Sequence, residues 1–267
     1  MNRMQNPEAK DRSHRYFLFL GAILVLSIPF YIWGTQPMTG MPFGALGLHF
    51  SFMMIFVPFF LALIFAYRDQ GKAGVAGIFQ SVLDLKKVHV LPLLFAVFCM
   101  PAVTGLSFLV LKLAGLLPAN LTFSYGSLPV SAPLFFLGAI PEEVAWTYTL
   151  TGPLSRRFSP LAAGTLIGCV WGLWHVIPWS WNHAVLWVIG MWLLNILMRT
   201  GMVLNYVHGG GSLFLALIFH AMINMCSGFF GLAFDPWLAC IVMIGIDIAV
   251  IGLAPRTHPV AVGALNS

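Results

Sequence analysis

The sequence predicts an all-α fold: a polytopic membrane bundle of about eight transmembrane helices. Three observations carry this. Hydrophobic residues make up 60% of the chain and charged residues only 8%, against roughly 25% charged in a soluble domain. Such a chain cannot cover a water-facing surface. The apolar residues also fall in successive runs, most of them about 18 residues or longer, enough to cross a bilayer. Lys and Arg gather in short clusters between these runs, where they act as topology signals.

Residues 1–15 carry Arg3, Lys10, Arg12 and Arg15 and read as a short disordered cytoplasmic tail. Residues 16–33 form the first apolar run. It lacks a small-residue cleavage site, so it reads as a retained helix and not a signal peptide. Residues 34–45 hold Gly, Pro and Thr without charge. Residues 46–67 are the second span, and Arg68, Lys72, Lys86 and Lys87 lie in the loop after it. Residues 88–111 are the third, with Lys112 placed to snorkel. A Pro/Gly/Asn turn over 116–127 leads to the fourth span, 128–150, which Pro133 and Pro141 interrupt; Arg156 and Arg157 follow.

Residues 160–181 are the fifth span. Residues 184–198 are short, but can continue past Arg199 toward Tyr206 to make the sixth. A flexible turn at His208 to Gly211 precedes the seventh, 212–233. The eighth is 236–254, followed by Arg256. The organisation is thus one bundle, 16–255, between cytoplasmic tails 1–15 and 256–267, with no soluble domain. With the N-terminus inside, twelve of the thirteen Lys and Arg fall on cytoplasmic segments, Lys112 being the exception. That asymmetry puts both termini in the cytoplasm. It makes the chain an integral multi-pass protein, of the plasma or inner membrane if prokaryotic.

The net charge of +5 does not signal nucleic acid, because no basic face carries interleaved aromatics. Cys99, Cys169, Cys226 and Cys240 lie in apolar runs without CxxC spacing and read as small buried hydrophobes.

Ionisable side chains inside apolar runs are costly and point to function. Glu142 and Glu143 lie in the fourth span, His175 in the fifth, and His220 and Asn224 in the seventh. Glu142 stands eight residues before Leu150, and His220 eight after Ser212. Each is therefore roughly 12 Å from the cytoplasmic end at 1.5 Å per residue. Asn224 follows His220 on the same face, and His175 lies deeper, roughly 22 Å from residue 160. The groups converge on one layer in the cytoplasmic half to the middle of the membrane. A carboxylate beside imidazoles there suits acceptance of a proton from water. His175, His220 and Glu142 could instead bind one divalent metal, zinc above all, and leave a position for water. Asn224 could donate to a developing oxyanion. Pro141 weakens the helix just before Glu142.

These residues resemble the CPBP intramembrane proteases, also called the abortive-infection or type II CAAX prenyl protease family. That family's pattern is Glu-Glu-x-x-x-Arg, then an aromatic-x-x-x-His, then His-x-x-x-Asn or Asp. Glu142-Glu143 matches the first motif. Trp171 to His175 matches the second, with Trp where Phe is common, and His220 to Asn224 matches the third. The resemblance covers residues 128–233. It implies an intramembrane endopeptidase acting on a membrane-associated substrate, either a prenylated CAAX-like peptide or a leader-type sequence. Catalytic residues would be Glu142, Glu143, His175, His220 and Asn224. Glu142 and His175 would activate water, while His220 and Asn224 hold the oxyanion; a metal-dependent version would use the same set.

One position departs from the pattern. Thr147 stands where the family's motif Arg would orient or neutralise the paired carboxylates. Arg156, Arg157 and Arg199 are the other candidates for that task, and sequence position puts all three near the cytoplasmic boundary. The departure favours an alternative, a catalytically impaired scaffold or immunity protein of the same fold. Two further readings are a haem protein using His175 and His220 and a proton-coupled transporter. Asn195 and Asp247 read as interhelical hydrogen-bonders. The Trp residues at 171, 174, 179, 181 and 187 read as packing or interface-belt residues, and His49, His89 and His183 as interfacial.

Overall fold

A computed structural model describes residues 7–38, 49–117, 121, 123, 128–230 and 234–253. The described chain is a helical bundle. Its one β-type pairing is an isolated bridge between Pro37 and His49. The helices in chain order are α1 (Pro7–Leu26), α2 (Ile28–Ile32), α3 (Phe56–Val82), α4 (Val90–Leu113), α5 (Leu128–Glu143), α6 (Thr151–Arg157), α7 (Pro160–Ser180), α8 (Val185–His208), α9 (Leu213–Phe230) and α10 (Pro236–Leu253). Six stretches, 14–32, 50–82, 90–113, 160–180, 185–208 and 213–230, are long and apolar enough to cross a membrane.

Several expected boundaries change. The disordered tail over 1–15 is replaced from Pro7 onward by α1. Pro at the first helical position followed by Glu, Ala, Lys and Arg favours this early start. The second span does not give way to a loop at Arg68. α3 continues through it to Val82, breaking at Gly71, whose φ of 60° and ψ of −145° only glycine adopts without strain. The sixth span does continue past Arg199, and ends at His208. The eighth corresponds to α10. Much of the linker 34–45 and of the turn 116–127, and the C-terminal tail 256–267, lie outside the described residues.

The fourth span is the most altered. α5 runs through Pro133 and Pro141, then widens into a π-helical turn over Val144–Thr149 before α6 resumes. Pro141 has no N–H to bond the carbonyl four residues back, and its ring crowds that carbonyl. The hydroxyls of Thr149 in the π turn and of Thr151 at the start of α6 donate to the carbonyls five residues behind them, Val144 and Trp146. Wide turns of this kind gather at functional positions, and this one follows directly on the glutamate pair.

The closest helix pairing is α7 against α8. Gly164, Gly168 and Gly172 line one face of α7 at four-residue spacing. A Cβ on Gly164 would stand 2.8 Å from Thr200 Cα, and one on Gly168 2.7 Å from Ile196 Cα. Only glycine lets the two backbones meet so closely. α8 also packs on α10, α9 packs against α4 and α5, and the π turn packs against α3. The four cysteines are free; Cys169 is half-buried and the others are buried.

Candidate active site

Glu143 is the last residue of α5 and has no exposed surface. Both its oxygens are doubly engaged. Arg199 of α8 grips it with two parallel bonds, Nη1 to Oε2 at 2.7 Å and Nη2 to Oε1 at 2.9 Å. The Thr147 hydroxyl donates to Oε2, and His220 Nδ1 lies 2.7 Å from Oε1. A carboxylate only accepts, so Nδ1 of His220 carries the proton it shares. Arg199 Nη1 also reaches the Thr147 hydroxyl at 3.3 Å. Glu143 is thus a saturated carboxylate facing a fixed guanidinium, the strongest two-point geometry available to these groups.

Arg199 was expected near the cytoplasmic boundary, and that expectation is corrected. It is fully buried, nine residues before the end of α8, roughly 13 Å along the helix. The expectation followed from treating 198 as a span end. Once the helix runs to His208, Arg199 is interior and level with Glu143. The guanidinium that is absent at position 147 therefore arrives from a different helix. A Cβ on Gly168 would come within 3.1 Å of the Arg199 Cβ, so the glycine face of α7 gives Arg199 its path.

Glu142 is treated differently. It keeps 7% of its surface and, among the described residues, accepts one hydrogen bond, from the indole Nε1 of Trp171 at 2.8 Å. Trp171 also accepts at its carbonyl oxygen from His175 Nδ1 at 2.8 Å. A carbonyl cannot donate, so His175 carries its proton on Nδ1 and presents the Nε2 lone pair. The Trp171 ring lies edge-on between the two histidines, with centroids 5.5 Å from each, and the Arg199 guanidinium sits 4.1 Å from its centre. His175 is half-buried between Trp174 and a stacked Trp179.

The second motif is braced from the N-terminal helices. Pro178 leaves the Trp174 carbonyl without its helical N–H partner. The Tyr31 hydroxyl of α2 donates to that carbonyl at 3.0 Å. The Trp174 indole donates to the Ser27 hydroxyl, between α1 and α2, at 2.7 Å.

The structure thus brings together Glu142, Glu143, His175 and His220. Asn224 lies one turn beyond His220 on α9, half-buried, and makes no hydrogen bond among the described residues. Sequence reasoning missed the role of Trp171, read as packing. Arg199 appeared there only as one of three candidates. Two other expectations fail: Asn195 bonds its own helix at the Met191 carbonyl, and both Asp247 oxygens are buried without a hydrogen-bond partner among the described residues.

On the expected zinc, the described residues offer one observation. No three His, Cys, Asp or Glu side chains among them form a set that could hold a metal ion. Nδ1 of His220 bonds Glu143 and Nδ1 of His175 bonds a carbonyl, which leaves Nε2 of each ring open.

No curated protein matches the chain. A family model, described as type II CAAX prenyl endopeptidase Rce1-like, matches residues 126–226. That range includes all three motifs and also Arg199, the residue that supplies the missing guanidinium. Over residues 126–226 this integral membrane chain is thus similar to the CPBP/CAAX protease family.

Proposed function

We propose that the protein is an intramembrane endopeptidase that hydrolyses a peptide bond in a membrane-associated substrate of the prenylated CAAX type, by metal-free chemistry. One observation carries the assignment of roles: Glu143 is saturated by four hydrogen bonds, whereas Glu142 has one among the described residues and keeps 7% of its surface. Glu143 is therefore the anchor and Glu142 the base.

Glu142, with the Nε2 lone pair of His175, takes a proton from water as its oxygen attacks the substrate carbonyl carbon. The oxyanion that forms is met by the Asn224 amide and by His220. His220 can donate from Nε2 only when doubly protonated, with Glu143 as counter-ion. Collapse of the tetrahedral intermediate breaks the C–N bond, and the proton passes to the leaving nitrogen. Arg199 and Thr147 hold Glu143, and through it His220, in register. The impaired-scaffold alternative rested on the absent motif Arg, and the bonds from Arg199 to Glu143 speak against it.

The test is cleavage of prenylated CAAX peptides and leader-type peptides by the purified protein in lipid, with and without a strong chelator. Wild type should cleave the prenylated peptides and be unaffected by chelator. Glu142→Gln should lose at least a hundredfold in rate, within the span a general base supplies. Loss of wild-type activity to chelator, restored by zinc, would overturn the metal-free mechanism. A fully active Glu142→Gln would remove Glu142 from it.

A further inference from the structure

Trp171 touches both halves of the candidate site. Its indole N–H bonds Glu142, its carbonyl holds His175, its ring face carries Arg199, and its ring edge meets His220. It is almost wholly buried, at 2% exposure. Packing alone would need the ring but not the N–H. A phenylalanine, common at this place in the resembling pattern, would fill most of the same space and hold the same carbonyl. It could donate nothing to Glu142.

We infer that Trp171 is a positioning residue whose indole N–H fixes the carboxylate of Glu142 toward the reacting water. The inference rests on the reading of Glu142 as the base. Its physical ground is that Glu142 receives no other hydrogen bond from the described protein, so one oxygen is pinned by the indole and the other is left for water. Glu143, the adjacent carboxylate, receives four bonds and needs no such help. A donor to a carboxylate is a strong hydrogen bond with a defined direction. A base held in one rotamer, within reach of its proton, gains rate without tightening substrate binding. The same side chain couples this base to the anchor, because its ring lies under the guanidinium that grips Glu143.

The discriminating variant is Trp171→Phe, which removes the N–H and keeps an aromatic ring and the backbone carbonyl. Assayed on the best-cleaved peptide, it should lower kcat about tenfold or more and leave KM within about twofold. Trp171→Phe combined with Glu142→Gln should be no slower than Glu142→Gln alone, since the indole acts through that carboxylate. An unchanged kcat in Trp171→Phe, or a change confined to KM, would overturn the inference while leaving Glu142 as base. A fully active Glu142→Gln would instead overturn the reading beneath it, so the two failures are separable.

A measurement on an otherwise intact chain covers the case in which Trp171→Phe fails to fold. In protein carrying 15N-labelled tryptophan, one indole N–H resonance should show the downfield shift of a bond to a carboxylate. It should move upfield in Glu142→Gln while the other indole resonances hold still. If no indole resonance responds to Glu142→Gln, the bond is absent and the inference falls.

Discussion

A buried carboxylate tolerates very few arrangements of its neighbours, and Glu143 shows how narrow the choice is. Its charge is met by Arg199, and the remaining lone pairs by Thr147 and His220. Removing one partner of such a buried pair costs about 3–5 kcal/mol, because the other charge is left uncompensated. Arg199→Ala should therefore lower stability by about that amount and abolish cleavage. Arg199→Lys keeps the charge but not the two-point geometry. It should fold and lose about tenfold or more in kcat, read from unfolding in detergent and from cleavage of the same peptide. The more instructive change is Thr147→Arg, which restores the family's motif residue. Thr147 is 2% exposed and already bonded to Glu143. A second guanidinium would meet one carboxylate in a filled space. Activity should fall, with a stability loss of about 3 kcal/mol or more. The combination with Arg199→Ala should recover part of both, and failure of that double variant to improve on Thr147→Arg would show that the two positions are not interchangeable. The motif residues themselves were legible in the sequence because each is a polar group in an apolar run, at a spacing that repeats a known pattern. Thr147 was legible only as a departure, since nothing local says that its replacement comes 52 residues later in the chain.

At the scale of helices, what matters is how α7 brings α8 to the glutamates. The glycine stripe at 164, 168 and 172 removes side chains where the two backbones meet, and Arg199 projects from α8 beside Gly168. Gly168→Leu should force α8 outward by the width of a side chain, since the contact at 2.7 Å is with backbone. The guanidinium then loses its reach. The expected result is a drop in kcat as large as that of Arg199→Ala, in a variant that touches no catalytic group. Gly138→Leu, where a Cβ meets nothing within 4 Å, should leave both stability and rate near wild type. Equal loss in the two would mean that helix propensity, not close approach, explains the effect. Helix existence was largely legible, because successive apolar runs, most of them of membrane-crossing length, are hard to read otherwise. The division of the fourth run into α5, a π turn and α6 was not. Hydropathy does not register which carbonyl a threonine hydroxyl meets, and Pro141 announced a weakness without saying what form it would take.

For the molecule as a whole, side-chain contacts sort the helix ends into two groups that agree with the distribution of charge. Arg15 pairs with Asp69, so the start of α1 and the basic stretch of α3 share one end. His89, just after the Lys86–Lys87 turn, lies against Gly210, which brings the turn between α8 and α9 to a basic turn as well. At the other end, Gly34 lies against Trp181, and Gly190 against Pro236 and Trp237. Arg199 was counted among the twelve basic residues on the cytoplasmic side, but its charge is spent on Glu143 inside the bundle. Eleven remain against Lys112 alone, still a decisive asymmetry for a positive-inside chain. Glu143 lies 14 residues before the end of α6 and 15 after the start of α5, and His220 seven after the start of α9, so the glutamate pair lies near mid-span and His220 toward the basic end. Cysteine labelling tests the orientation directly. An impermeant maleimide on intact cells should modify Asn182→Cys and Lys112→Cys, both exposed positions, and should modify Lys86→Cys only after the membrane is opened. The native cysteines, three buried and one half-buried within α7, make wild type the blank. The opposite pattern would invert the molecule and overturn the expectation that both termini are cytoplasmic.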